Sequence, residues 1–308
     1  MSDTRAGLRH KINSAGELRS VVRTMKAVAS SSIVQYERSV LALADYARTV
    51  ELGLGACFRQ ADASAMPAAL QTAGRPGPVT AIVFGADQGL VGQFNDAIAD
   101  HALQALAGVA GPVELWAVGE RVQARLADSG HASRRLFTVP ASVGAISALV
   151  TQILAATDPP GSGQRVAELY LFHNRPGSSR QLGSDQGGSA QGGGAIYTPV
   201  TQRLLPLDAA WRRGLMQRHW PTRNLPEVIS ATTTLAACIG EYLFVCLYRA
   251  CAESLASENA SRLAAMQRAE KNIDGLLADM KTTSNRLRQS SIDEELFDVV
   301  SGFEALSQ

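Results

Sequence analysis

From Leu8 to Ala47 apolar side chains recur at steps of three or four: Leu8, Ile12, Ala15, Leu18, Val22, Met25, Ala29, Ile33, Tyr36, Val40, Leu43 and Ala47. That period predicts one long helix from residue 4 to about residue 58, with Gly16 its one weak point before Gly53 and Gly55. The other end of the chain repeats the pattern. After Pro226 there is no further proline, and glycine occurs only at Gly240, Gly275 and Gly302. With the two strongest helix breakers nearly absent, residues 225–308 read as helix, roughly 120 Å of it if unbroken. Leu255, Met266, Ala269, Ile273, Leu276, Met280 and Leu287 form its seam, interrupted at Asn259, Arg262, Thr283, Ser290 and Glu294. A seam kept over four heptads is a coiled-coil signal, and the natural partner of each seam is the other. The expectation is a long antiparallel coiled coil of N- and C-terminal helices.

Between the two helices the period changes. Residues 79–85, 113–119, 134–140, 168–174 and 195–206 are short runs rich in β-branched and aromatic residues. Residues 93–109, 120–130 and 142–157 have helical spacing, the last with Ser142 as a possible cap. Strands alternating with helices imply a mostly parallel sheet covered on both faces. The fold class is therefore α/β, a Rossmann-like domain inserted between two helical arms. The domains are residues 1–58, 59–224 and 225–308. Residues 59–78 and the Gly/Ser-rich 183–194 read as linker and flexible loop. Residues 207–225 bridge the insert to the last helix, with Trp211 and Trp220 packing the junction.

Composition narrows the function. The chain has 308 residues, 46% hydrophobic, with a formal net charge of +1. That balance argues against nucleic acid as a general partner. Residues 1–11 lack the apolar core of a secretory signal. The most apolar window, residues 235–255, carries Glu241, Arg249 and Glu253 and makes a poor membrane span. The expected protein is intracellular and meets a membrane only through partners. Cys57, Cys238, Cys246 and Cys251 form no CxxC pair and read as small buried hydrophobes. The five histidines are scattered, with no metal-ligand spacing.

One stretch invites a chemical reading. Phe84 to Asn95 (FGADQGLVGQFN) sits where the first strand ends and a helix begins, the place where α/β sheets bind phosphates. Gly85, Gly89 and Gly92 are spaced four and three apart. That matches neither GxGxxG nor a P-loop, and no Lys or Ser/Thr follows to hold phosphate and metal. A tight strand-to-helix connection explains the glycines better. No cofactor, metal set or nucleophile with a base is expected. Asp293, Glu294 and Glu295 form an acidic run that meets solvent or a partner's basic groups. Two other readings stay open on these residues: a nucleotide-binding α/β enzyme with helical arms, and a coiled-coil adaptor.

Three blocks carry a family resemblance. Residues 8–31 (LRHKINSAGELRSVVRTMKAVASS), the loop Phe84 to Asn95, and the C-terminal block are similar to the gamma subunits of F-type ATP synthases. The last block is the most specific: Ala256-Ser257-Glu258, Arg262, Met266, Asn272, Asn285, Arg288-Gln289, Ile292, Glu295-Leu296 and Val300-Ser301-Gly302 stand in the family's order and spacing. The departures are Gln88 where the family has Lys or Arg, Val91 where it has Cys, and Arg38 as the first basic residue after Ser32. They mark a divergent or alternate-type copy. The resemblance implies a rotor shaft that is not itself an enzyme, with alpha and beta catalytic ring subunits, an epsilon subunit and the membrane c-ring as partners. It implies a peripheral place at the cytoplasmic face of the bacterial inner membrane. It makes Met25, Lys26, Arg288 and Gln289 the residues expected to face beta loops. Asp87 and Gln88 are expected on the insert near the stalk. Glu295 is a candidate stator contact.

Overall fold

The computed structural model describes residues 5–60, 79–109, 111–157, 166, 168–177, 196–221, 228 and 231–306. The expected linker at 61–78, the loop at 183–194 and most of 222–230 lie outside the described residues. Helix α1 spans Arg5–Gln60 and passes through Gly16, Gly53 and Gly55; helix α6 spans Ala231–Leu306. The chain groups into two compact units, Met1–Ala29 with Arg262–Gln308, and Ser30–Ser261, so each long helix contributes to both.

In the first unit α1 and α6 pair antiparallel. Arg19 Nε lies 2.7 Å from Asp274, Arg23 Nε 2.9 Å from Glu270 and Lys26 Nζ 2.6 Å from Glu270. The seam on α1 follows a seven-residue repeat, Leu8, Ala15, Val22 and Ala29 alternating with Ile12, Arg19 and Lys26. Leu18, expected in that seam, is 59% exposed, and Leu276 is 57% exposed while its neighbour Leu277 is buried. The cause is the same in both helices. Supercoiled packing enforces a strict 3.5-residue period, so the position it selects can differ by one from the nearest apolar residue. At Arg19 and Lys26 the aliphatic stems fill the seam while the charged ends reach acids on α6.

The second unit holds the sheet. Strands β1 (Val79–Phe84), β2 (Val113–Val118), β3 (Arg135–Phe137), β4 (Glu168–Pro176) and β5 (Tyr197–Leu205) lie in the order β3-β2-β1-β4-β5. All neighbours are parallel except β5, which runs antiparallel to β4 at the edge. Period-two alternation sorts the layers. Ala81, Val83, Ala117 and Phe172 pack against α2 (Phe94–Leu106) and α3 (Glu120–Asp128). Ile82, Phe84, Trp116 and Val118 face the other way, into a core with α4 (Val143–Thr157), Leu54 and Cys57 of α1, and Leu235, Leu243, Leu247 and Leu255 of α6. Each such Leu or Ile contributes about 1.5–3 kcal/mol by leaving water.

One helix was not anticipated from the sequence, α5 (Ala209–Gln217), started by Asp208, whose carboxylate accepts the Ala210 N–H at 2.7 Å. It lies so close to α1 that a Cβ on Gly55 would stand 2.8 Å from the Leu215 carbonyl oxygen. Trp211 packs on Tyr242 with ring centroids 4.6 Å apart. Among the described residues α6 is long and apolar enough to cross a membrane by length and composition, and half of its most apolar window is buried inside the protein.

Candidate functional site

In a doubly wound sheet, ligands enter the crevice outside the carboxyl ends of the strands, where the strand order reverses. Here the chain moves from β1 outward to β2 and β3, then returns to the other side of β1 with β4. The crevice is thus formed by the ends of β1 and β4, and the Phe84–Asn95 loop lines it. It is filled. Ser261 Oγ on α6 donates to the Val91 carbonyl at 2.5 Å. Ser257 Oγ shares its proton between the Asn174 carbonyl at the end of β4 (2.9 Å) and the Glu253 carbonyl of its own helix (2.8 Å), while Asn174 Nδ2 donates to the Phe94 carbonyl (3.1 Å). Glu253 Oε2 receives His173 Nε2 at 2.8 Å and Arg175 Nε at 3.0 Å. Glu253, Ser257 and Ser261 are four residues apart, so they form one polar stripe along one face of α6.

The loop's own geometry serves this packing. A Cβ on Gly85 would fall 2.3 Å from Val122 Cβ, and one on Gly119 (φ +117°) 2.8 Å from the Ala86 carbonyl oxygen. These glycines let strands and helices approach closely. Asn95 Oδ1 accepts the Ala86 N–H at 2.9 Å. Asp87 uses both carboxylate oxygens internally, accepting the N–H of Glu120 at 3.0 Å and of Val139 at 2.9 Å. Phe94 is fully buried, edge-on to Tyr197.

The electrostatics match a joint better than a reaction centre. Burial opposes ionisation of Glu253, but His173 and Arg175 outweigh it and hold its carboxyl below the usual range. Burial pushes the Cys246 thiol up to about 11, and Cys57 to about 11 with help from Cys238. Thiols that stay protonated at neutral pH are poor nucleophiles. Among the described residues no group of three or more His, Cys, Asp or Glu could hold a metal ion.

The expected contact residues fall in several places. Met25 is half-buried, and Lys26 spends its ammonium on Glu270. Arg288, Gln289 and Glu295 are exposed on α6. Extending the pairing of Arg19 with Asp274 along both helices puts Arg288 roughly 27 Å beyond Lys26's partner at 1.5 Å per residue, so the two sets form no single site. In the other unit Gln88 is exposed at the loop tip beside Leu90, which has φ +63°. Two features escaped the sequence reading. One is the Glu253-Ser257-Ser261 stripe with His173. The other is an apolar stripe at the end of α6: Ile292, Leu296, Val299 and Val300, spaced i, i+4, i+7 and i+8, are 49%, 58%, 70% and 55% exposed, and Phe297 is 78% exposed. That spacing is a signal of an amphipathic helix, masked by the intervening acids.

These observations define a class: an α/β domain inserted between two long helices, with its ligand crevice met by its own C-terminal helix and an exposed apolar stripe near that helix's end. The chain belongs to the ATP synthase family, whose sequence model matches residues 4–306. Its relatives include the ATP synthase gamma chain of Anaeromyxobacter sp. (strain Fw109-5), 27% identical over 97% of this chain and 98% of that one. The ATP synthase gamma chain of Saccharopolyspora erythraea is 27% identical over 97% of this chain and 96% of its own length. The fold is similar to the central stalk of the Tetrahymena thermophila mitochondrial ATP synthase (TM-score 0.52, 19% identity, 81% of this chain and 99% of that). It is also similar to a chain of the Euglena gracilis mitochondrial ATP synthase (TM-score 0.57, 17% identity, 99% and 95%).

Proposed function

We propose that this chain is the rotor shaft of a rotary ATP synthase, a non-catalytic subunit turning inside a ring of three alpha and three beta subunits. The insert meets the epsilon subunit and the membrane c-ring. The complex sits at the cytoplasmic face of the bacterial inner membrane, where this chain is peripheral and held by its partners. The observation that carries the reading is the exposed stripe at the end of α6, Ile292, Leu296, Val299 and Val300. A contiguous exposed apolar face of this kind marks a surface that a partner covers. Continuing the antiparallel pairing places Arg5 opposite Arg288, so the stripe lies past the helix that could have covered it within the chain.

Mechanism follows from asymmetry. A single shaft in a three-fold ring presents a different face to each beta subunit. Each face favours a different conformation, and a differential contact energy of roughly 5.5 kcal/mol shifts a two-state equilibrium by about 10⁴-fold. Turning the shaft moves these preferences around the ring, and binding reciprocity lets hydrolysis turn the shaft. Arg288, Gln289, Glu295 and Met25 are the proposed contacts with the ring; Gln88 is a proposed contact on the insert. Co-expression with alpha and beta subunits tests the reading: a stable complex forms, and the isolated chain hydrolyses no ATP. A chain that never joins an alpha/beta ring sinks it.

A further inference from the structure

The polar stripe on α6 has a property its apolar neighbours lack. The face of α6 buried against the sheet repeats small and medium side chains, Leu243, Leu247, Ala250, Cys251 and Leu255. Such a face can slide by a turn, or rotate by one residue, and still meet apolar atoms. Hydrogen bonds and a half-buried ion pair cannot. One turn of slip would leave the Glu253 carboxylate without His173 and Arg175, and the Val91 and Asn174 carbonyls without Ser261 and Ser257. Buried polar groups are expensive to leave unpaired, and fixing register is their best-attested structural use.

We propose that Glu253, Ser257 and Ser261 are positioning residues that lock α6 to the insert, so that torque passes between them without slip. The proposal rests on the rotor reading and deepens it. Three observations converge. The three side chains follow an i, i+4 row inclined to the helix axis, so the stripe resists both rotation and translation of α6. It grips two different strands, β1 through the Val91 loop and β4 through His173, Asn174 and Arg175. The grip is preloaded: Asn174 is itself tied to Phe94, and Phe94 is wedged against Tyr197, so the loop cannot follow a moving helix without breaking buried contacts.

The test uses the whole complex in vesicles, comparing ATP-driven ion pumping with ATP hydrolysis. In a complex carrying Glu253→Gln with Ser257→Ala and Ser261→Ala, hydrolysis stays near the unaltered rate while the pumping-to-hydrolysis ratio falls by at least about fivefold, the factor that even one lost net hydrogen bond corresponds to. Ser257→Thr with Ser261→Thr keeps the hydroxyls and keeps the ratio. Ile153→Val, which removes a buried methyl from the core that α4 shares with the sheet and makes no polar contact with the stripe, lowers the melting temperature without lowering the ratio. If the triple variant does not assemble, the Ser257→Ala/Ser261→Ala pair carries the same test. An unchanged ratio in the polar variants, or an equal fall with Ile153→Val, overturns the lock and leaves the rotor reading standing. An unaltered chain that forms no pumping complex overturns the rotor reading itself.

Discussion

Lys26 Nζ lies 2.6 Å from Glu270 Oε2, at a seam position that the seven-residue repeat fills, as at Arg19, with a basic side chain. Arg23 reaches the other oxygen of the same carboxylate at 2.9 Å. One acid thus holds two cations of the facing helix, which specifies the register of the pair. Glu270→Lys puts three cations together and lowers the melting temperature. The loss is larger at low salt than at 1 M salt, because these groups are only partly buried and screening reaches them. A loss equal at both salt concentrations would argue against an electrostatic role. Glu270→Leu combined with Lys26→Leu restores an apolar seam and raises the melting temperature.

Glycines of the same residue type carry opposite expectations. Gly85→Ala drives a Cβ to 2.3 Å from Val122 and costs about 1–3 kcal/mol by overpacking. Gly16 lies inside α1 with nothing within 4 Å of a built Cβ, so Gly16→Ala stabilises by about 0.5–1 kcal/mol. Denaturant unfolding of the two variants separates them by sign.

Asp87→Ala removes the acceptor of two backbone N–H groups, those of Glu120 and Val139. Bonds to a charged acceptor are worth about 1.5–3 kcal/mol, and a loss in that range is expected. Asp87→Asn keeps one acceptor oxygen and loses less. The measurement is urea unfolding followed by circular dichroism. A neutral Asp87→Ala would mean that Asn95, Asn174 and Ser261 hold the loop without it.

The fold was largely legible in the sequence, and the joint was not. Short runs of β-branched and aromatic residues marked all five strands, and three-four spacing marked α1 and α6, because burial in a sheet or on one helix face selects those side chains directly. Leu18 and Leu276 misled because an apolar residue one position from a seam satisfies the average period but not the packed one. Helix α5 is short and carries Gly214, so its pattern was too brief to stand out. His173, Glu253, Ser257 and Ser261 come together from segments about 80 residues apart, and no local pattern links them. The loop at Phe84–Asn95 was legible as a tight connection, but only the fold shows that α6 occupies the crevice beside it.

The Glu253 carboxyl gives a pH dependence with a definite sign. Its folded-state pKa is depressed, so its contribution is fully present above the ordinary carboxylate value of about 4.3 and is lost as pH falls through the lowered value. Melting of the unaltered chain between neutral and acid pH should therefore fall more steeply than that of Glu253→Gln. Parallel curves would show that the carboxylate contributes nothing beyond its shape.

The central claim is that this chain turns. With an alpha/beta ring fixed to a surface and a bead attached through Asp128→Cys, an exposed site on α3, addition of ATP should produce sustained one-directional rotation of the bead. A bead that stays still, or only fluctuates without direction, while the ring hydrolyses ATP would contradict the account.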